Sequence, residues 1–252
     1  MPDVNRDMDA ELARAVASFW RTRRRQGASQ GRDSGKRDAG SRTAVTGGRQ
    51  LDGLIRLVRK WVAQAGLPGA AVVGKGAALP GYFRPTKVWD LLVIADSHLI
   101  ASLEFKSHIG PSFGNNFNNR IEEALGSATD LWTAHREGAF SESVRPWLGY
   151  FMLLEDTRRS AGPVVVRSPH FAPFAGFENS SYARRYELFC QRLVRERLYD
   201  AACLILSPAD RGMRGVYSVP NGEISPARLK ASLMGRVAEF AAIKTPPKVR
   251  RP

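Results

Sequence analysis

Cysteine is nearly missing from this chain. Cys190 and Cys203 are the only two in 252 residues, and both sit among apolar neighbours. That excludes a small disulfide-built secreted domain and predicts two buried thiols in a reducing compartment. Histidine is almost as scarce. Its four copies, His98, His108, His135 and His170, have no ligand spacing with one another or with the cysteines, so no zinc site is expected. Long apolar runs are absent too. The start, Met1-Pro2-Asp3-Val4-Asn5-Arg6-Asp7, lacks the apolar segment of a signal peptide, and no later stretch could span a bilayer. No membrane partner is expected. Acid is the last deficit: 24 Asp and Glu stand against 38 Lys and Arg, a net charge of +14 with a pI of about 10.4. Such an excess does not specify a fold, but it argues for a polyanionic partner. Nucleic acid is the first candidate and an acidic membrane surface the competitor.

With 43% hydrophobic residues there is ample material for one good-sized core with appendages. Residues 1–26 read as a basic N-terminal helix. Met8, Leu12, Ala15, Val16 and Phe19 form its stripe from Asp7 to Gln26, and Arg21, Arg23, Arg24 and Arg25 sit at its end. Those cations suit either the helix macrodipole or a phosphate. Residues 27–48, rich in Gly, Ser, Asp, Arg and Lys, read as a flexible basic segment. Residues 49–252 read as the core domain. In it a helix over Leu51 to Ala65 precedes two strands, a helix to about Arg136, and a strand from Trp147 to Leu154. A Pro-rich aromatic stretch (Pro163 to Phe177) leads to a helix from Ser181 to Leu198. A strand from Ala202 to Leu206 and a helix from Ser225 to Ile243 complete it. This order predicts an α/β fold, a mixed β-sheet with helices on both faces.

Chemistry concentrates in the first two core strands, Trp89-Asp90-Leu91-Leu92-Val93-Ile94 and Leu99-Ile100-Ala101-Ser102-Leu103-Glu104-Phe105-Lys106. Glu104 and Lys106, two apart on a strand, share a face. A three-residue turn, Asp96-Ser97-His98, would pair Ala95 with Leu99 and set Asp90 opposite Glu104, near enough to share an ion. A two-residue turn would need a β-bulge to restore that face. Two acids and a lysine so placed are the minimum kit for metal-assisted phosphodiester cleavage. The acids hold a hard cation and the lysine serves the attacking water. A half-solvated strand with an ornamental ion pair would read the same way.

Beyond the triplet lie Leu79-Pro80-Gly81-Tyr82-Phe83-Arg84-Pro85-Thr86-Lys87 and the run Gly110-Pro111-Ser112-Phe113-Gly114-Asn115-Asn116-Phe117-Asn118-Asn119-Arg120. Further on come Glu122-Glu123-Ala124-Leu125-Gly126-Ser127-Ala128 and Arg167-Ser168-Pro169-His170-Phe171. With the triplet, these resemble the PD-(D/E)xK nuclease superfamily, and within it the XhoI-type type II restriction endonucleases. One departure is that Val88 stands two before Asp90, where the general motif has a loosely defined proline.

The resemblance implies a restriction-endonuclease-like core and a homodimer that makes Mg²⁺-dependent double-strand breaks within 5′-CTCGAG, leaving a 5′ overhang. It implies a bacterial cytoplasmic protein working in a restriction-modification system with a cognate DNA methyltransferase. Asp90, Glu104 and Lys106 become the catalytic set, with Asp90, Glu104 and the backbone carbonyl of Phe105 as metal ligands. Asp52 reads either as an extra acid or as an ordinary acid at a helix start. Candidate DNA contacts are Arg84 and Lys87 on phosphates. Asn115, Asn116, Asn118, Asn119 and Arg120 are expected on a polar loop around an exposed Phe117, where amide and guanidinium groups suit base edges. The rival readings are a sequence-nonspecific or repair nuclease of the same core, and a DNA-binding protein without catalysis.

Overall fold

The computed structural model describes residues 4–33, 49–68, 71–74, 76–140 and 143–244. In chain order the elements are α1 (Val4–Asp33), α2 (Asp52–Gln64), β1 (Val72–Val73), β2 (Ala78–Pro80), β3 (Thr86–Val88), β4 (Leu91–Ala95) and β5 (His98–His108). Then follow α3 (Gly114–Arg136), β6 (Trp147–Glu155), α4 (Arg158–Ala161), α5 (Tyr182–Arg195), β7 (Ala201–Ser207), α6 (Ala209–Gly212) and α7 (Pro226–Lys244). Five strands form one sheet in the order β1-β4-β5-β6-β7, and β2 and β3 form a separate antiparallel pair. The pairings β1–β4 and β4–β5 are antiparallel, whereas β5–β6 and β6–β7 are parallel.

Strand alternation divides the apolar side chains between two cores. Leu103, Phe105, Phe151, Leu153, Cys203 and Ile205 face one side, beneath the buried residues of α1, α2 and α7. Tyr150, Met152, Leu154, Ala202 and Leu204 face the other, beneath α3 and α5. The mixed α/β sheet covered on both faces is therefore as expected. Both cysteines are buried and unpaired, and among the described residues no helix is long and apolar enough to cross a membrane.

Three expectations, on the first helix, the Asn-rich run and Phe117, need correction. The first helix does not stop near Gln26 but continues to Asp33, and the rest of the predicted flexible segment, residues 34–48, lies outside the described residues. The Asn-rich run is not a loop: it forms the opening turns of α3. Phe113, Phe117, Ala124, Ala128 and Leu131 recur at helical spacing and are buried, and asparagine is tolerated near a helix start. Phe117 is accordingly not exposed. Its ring packs 5.0 Å from that of Tyr186 and 6.1 Å from that of Tyr182.

Of the two alternatives for the turn between β4 and β5, the structure has the two-residue turn with its β-bulge. Ala95 pairs with His98, and Asp96 and Ser97 both take positive φ, 49° and 64°. Two such residues make the type I′ turn that matches strand twist. The register then shifts between Val93, paired with Ala101, and Ile94, paired with Leu99. Ile100 is the extra residue, and it shares a core with Ala101 next to it, as a bulge requires. Leu91 thus meets Leu103, which returns Asp90 to the face of Glu104.

Tyr150, paired with Glu104 across β5–β6, is fully buried, and its hydroxyl has no hydrogen-bond partner among the described residues. Its neighbour Tyr199 instead donates to Ala124 O at 3.1 Å. Removing an unsatisfied buried hydroxyl loses no bond, so Tyr150→Phe should leave stability unchanged or raise it by up to about 1 kcal/mol. Thermal melts check this, and a lowered midpoint would reveal a hidden partner.

Candidate active site

The β4–β5 ladder and its bulge bring Asp90 and Glu104 together. Asp90 Oδ2 accepts the backbone N–H of Phe105 at 2.7 Å, fixing its carboxylate across the start of the hairpin. Glu104 is almost wholly enclosed, and two ammonium groups face it. Lys106 Nζ lies 3.2 Å from Oε2, and Lys87 pairs with Oε1. Each carboxylate oxygen is thus balanced by an ammonium charge. Lys106 also faces Glu123 of α3 at 3.7 Å, and Glu123 accepts from Arg120 at 2.7 Å. A line of alternating charge therefore runs from α3 to the buried acid.

The two acids are pushed apart in acidity. Burial raises the Asp90 carboxyl, and the charge of Glu104 adds to this against the Phe105 amide and Lys106. Burial also pushes Glu104 up, but Lys106 and Lys87 together outweigh it and hold the group below the usual range. Burial favours a neutral Lys106, yet Glu104, Asp90 and Glu123 overcome it and keep the amine a cation. Such a cluster of opposed shifts in one place is characteristic of a reaction centre.

A buried carboxylate that already draws positive charge to both its oxygens, beside a second acid, suits a hard divalent cation. Mg²⁺ takes oxygen donors, keeps several waters and needs one or two protein carboxylates. Among the described residues no group of three or more His, Cys, Asp or Glu is arranged to hold a metal, so Asp90 and Glu104 would be the acidic donors.

A profile of the family described as Restriction endonuclease XhoI matches residues 30–219. The chain belongs to the XhoI restriction endonuclease family. It is 49% identical over 216 residues to the type II restriction enzyme BstVI of Geobacillus stearothermophilus, covering 83% of this chain and 96% of that one. Against the type II restriction enzyme XhoI of Xanthomonas vasicola it is 44% identical over 204 residues, 79% and 81% of the two chains. Against AbrI of Azospirillum brasilense it is 50% identical over 167 residues, 66% and 74%. No solved structure matches. The resemblance to XhoI-type enzymes is thus borne out. The matched span holds the whole sheet, while α7 and all but the end of α1 lie outside it.

The other candidate residues of this XhoI-family chain are distributed as follows. Asp52 is exposed in the first turn of α2 and is not among the main charges acting on Asp90, Glu104 or Lys106. Arg84 is held through Nε by Asp130 Oδ2 at 2.7 Å. Lys87 points to the buried Glu104 and over the Trp89 ring, 4.4 Å from its centroid. On α3, Asn115, Asn118 and Asn119 are exposed along one helical stripe, while Asn116 donates to Ser112 O at 2.8 Å. Arg120 belongs to the line of charge that ends at Lys106.

Sequence reasoning missed the inward role of Lys87 and the whole role of Asp130. A carboxylate buried as deeply as Glu104 demands more than one cation, and an acid among Ala128, Leu131 and Ala134 on a helix demands donors. Those were the signals available.

His108 shares the face of Lys106 and ties the loop before α3. Because Ser112 O can only accept, Nε2 donates to it at 3.0 Å, and Nδ1 accepts from the Tyr186 hydroxyl at 2.6 Å. Burial, aided by the Arg120 charge, holds the imidazole below its ordinary range. The unfolded chain therefore takes up this proton first as pH falls. The stability contributed by neutral His108 is complete above the unfolded value of about 6.5 and declines below it. Melts at pH 7 and pH 5.5 should show a smaller loss for His108→Gln than for the parent; equal losses would contradict this.

Proposed function

We propose that this chain is a type II restriction endonuclease that makes Mg²⁺-dependent double-strand breaks in DNA within 5′-CTCGAG, leaving a 5′ overhang. It acts as a homodimer in the bacterial cytoplasm, alongside a methyltransferase that protects the same site. The observation that carries the reading is the convergence of Asp90, Glu104 and Lys106 on one sheet face in a chain of this family. A protein that only bound DNA would gain nothing from two carboxylates beside a phosphate, since like charges there cost affinity.

Asp90, Glu104 and the Phe105 carbonyl would hold the divalent ion. When bound, that ion supplies Lewis-acid charge and makes a hydroxide nucleophile accessible near neutral pH. Lys106 is a cation at the rim of the carboxylate pair. It orients the attacking water and offsets negative charge growing on the phosphate, acting only where charge develops. Lys87 leaves Glu104 as the site fills and turns its charge to the same phosphate. Arg84, tied to Asp130, and Arg120 contribute positive charge along the backbone. Asn115, Asn118 and Asn119 offer amide edges from the start of α3, the part of a helix that reads bases in many DNA-binding proteins. Asn116, already engaged by Ser112 O, positions that helix. A two-fold dimer would give each strand of a palindrome its own site.

Plasmid digestion followed by sequencing of the ends tests this reading. Discrete fragments beginning at one position of CTCGAG, produced with Mg²⁺ and stopped by EDTA, are expected. A smear would favour a nonspecific or repair nuclease, and a gel shift without cutting would favour a binding protein.

A further inference from the structure

The five residues between β2 and β3 form a turn with an unusual mount. Asp130, buried on α3, accepts the backbone N–H of Tyr82 at 2.7 Å, that of Phe83 at 2.9 Å and Arg84 Nε at 2.7 Å. Gly81 has no room for a side chain, because a Cβ there would lie 2.8 Å from both Arg84 O and Asp130 Oδ2. The turn is thus clamped at three donors and pressed against α3.

What it displays is apolar. Tyr82 is 53% exposed and Phe83 68% exposed, their rings set edge to face with centroids 5.0 Å apart. Two large rings held rigidly in water beside a buried carboxylate are an expensive arrangement for a surface loop and fit a docking element. Its position says against what. Asp130 lies seven residues beyond Glu123 on α3, about 10 Å at 1.5 Å per residue, and Glu123 faces Lys106. The same turn runs directly into β3, whose Lys87 reaches Glu104. The turn is therefore carried by the two elements, α3 and β3, that also bring Glu123 and Lys87 to the candidate site.

We propose that Tyr82 and Phe83 form a wedge that inserts against stacked bases of the duplex near the cut, unstacking them. That placement rests on the active-site reading above; the wedge itself does not need cleavage. Aromatic and apolar side chains pushed between base steps unstack and kink DNA, and ring–base stacking offsets part of that cost. The chain's net charge of +14 draws in the polyanion, and Asp130 fixes the backbone that carries the rings.

The test uses a duplex carrying the mapped cleavage site, with 2-aminopurine substituted at single positions up to three steps either side of the cut. Fluorescence is read at saturating protein in EDTA and again with Ca²⁺. The full chain should raise the signal about threefold or more at one position at least, as unstacking does. Tyr82→Ala/Phe83→Ala should abolish the rise and weaken binding by about tenfold. It should keep its melting midpoint, since both side chains are exposed; Phe83→Trp should retain the rise. No rise at any position with the parent protein would overturn the proposal. So would an undiminished rise with the double variant, or a variant that alters only the oligomeric state. If Glu104→Gln still cut DNA while the rise persisted, the active-site assignment would fail and the wedge would stand.

Discussion

Replacing Lys106 by methionine should lower the single-turnover cleavage rate by about 10²–10³ while leaving affinity for the uncut duplex within about threefold. The ammonium lies 3.2 Å from Glu104 and 3.7 Å from Glu123, where on the proposed mechanism phosphate charge would grow. On that mechanism its effect would belong to the transition state, so the loss should fall on rate and not on binding. Methionine keeps the length and flexibility of the stem, which isolates the charge. Lys106→Arg is expected to recover little. A planar fork does not fit between two carboxylates spaced for a point charge, and only a fraction of this side chain is open to solvent. Quenched-flow cleavage with anisotropy binding on the same samples separates the two quantities. A variant that cuts at the parental rate would remove Lys106 from the mechanism.

Lys87→Met is the second change with a large expected effect, and its sign differs by quantity. On the proposed mechanism Lys87, which pairs with Oε1 of Glu104, would compete with the divalent cation for that buried oxygen. Two unit charges at about 4 Å interact by about 4 kcal/mol at an effective dielectric of 20, before desolvation is subtracted. Even a third of that is a factor of about ten in affinity. Half-saturating Mg²⁺ should therefore fall about tenfold or more when the competitor is removed. The rate at saturating metal should fall as well, by about tenfold, because the released ammonium no longer serves the phosphate. A titration of cleavage rate against Mg²⁺ reads both at once. If Lys87→Met required more Mg²⁺ than the parent, the competition would be refuted.

Local patterns carried much of this structure in the sequence. The α2 stripe of Leu54, Val58 and Val62, the alternation through Leu103, Glu104, Phe105 and Lys106, and the apolar β6 run each follow from one period and one buried face. Asp96-Ser97 was harder, because a type I′ turn without glycine or asparagine carries little signature. The compensating bulge at Ile100 is set by the need to keep both cores filled. Four asparagines in five positions imitated a loop. Phe113 and Phe117, four apart and buried against α5, overrode that local preference and made a helix. The pairing of Lys87 with Glu104 and the clamp of Asp130 on Tyr82, Phe83 and Arg84 join segments 17 and about 47 residues apart. No window of sequence contains both ends of either contact.

On the proposed mechanism Asp90 and Glu104 act on one and the same cation. Single-turnover cleavage by Asp90→Asn, Glu104→Gln and the double variant, at saturating Mg²⁺, measures this directly. Residues acting as a unit lose nearly everything with the first substitution, so the double variant should be no slower than the worse single one. Losses that multiply, or a single variant that cuts at the parental rate, would mean that the two acids do not share an ion.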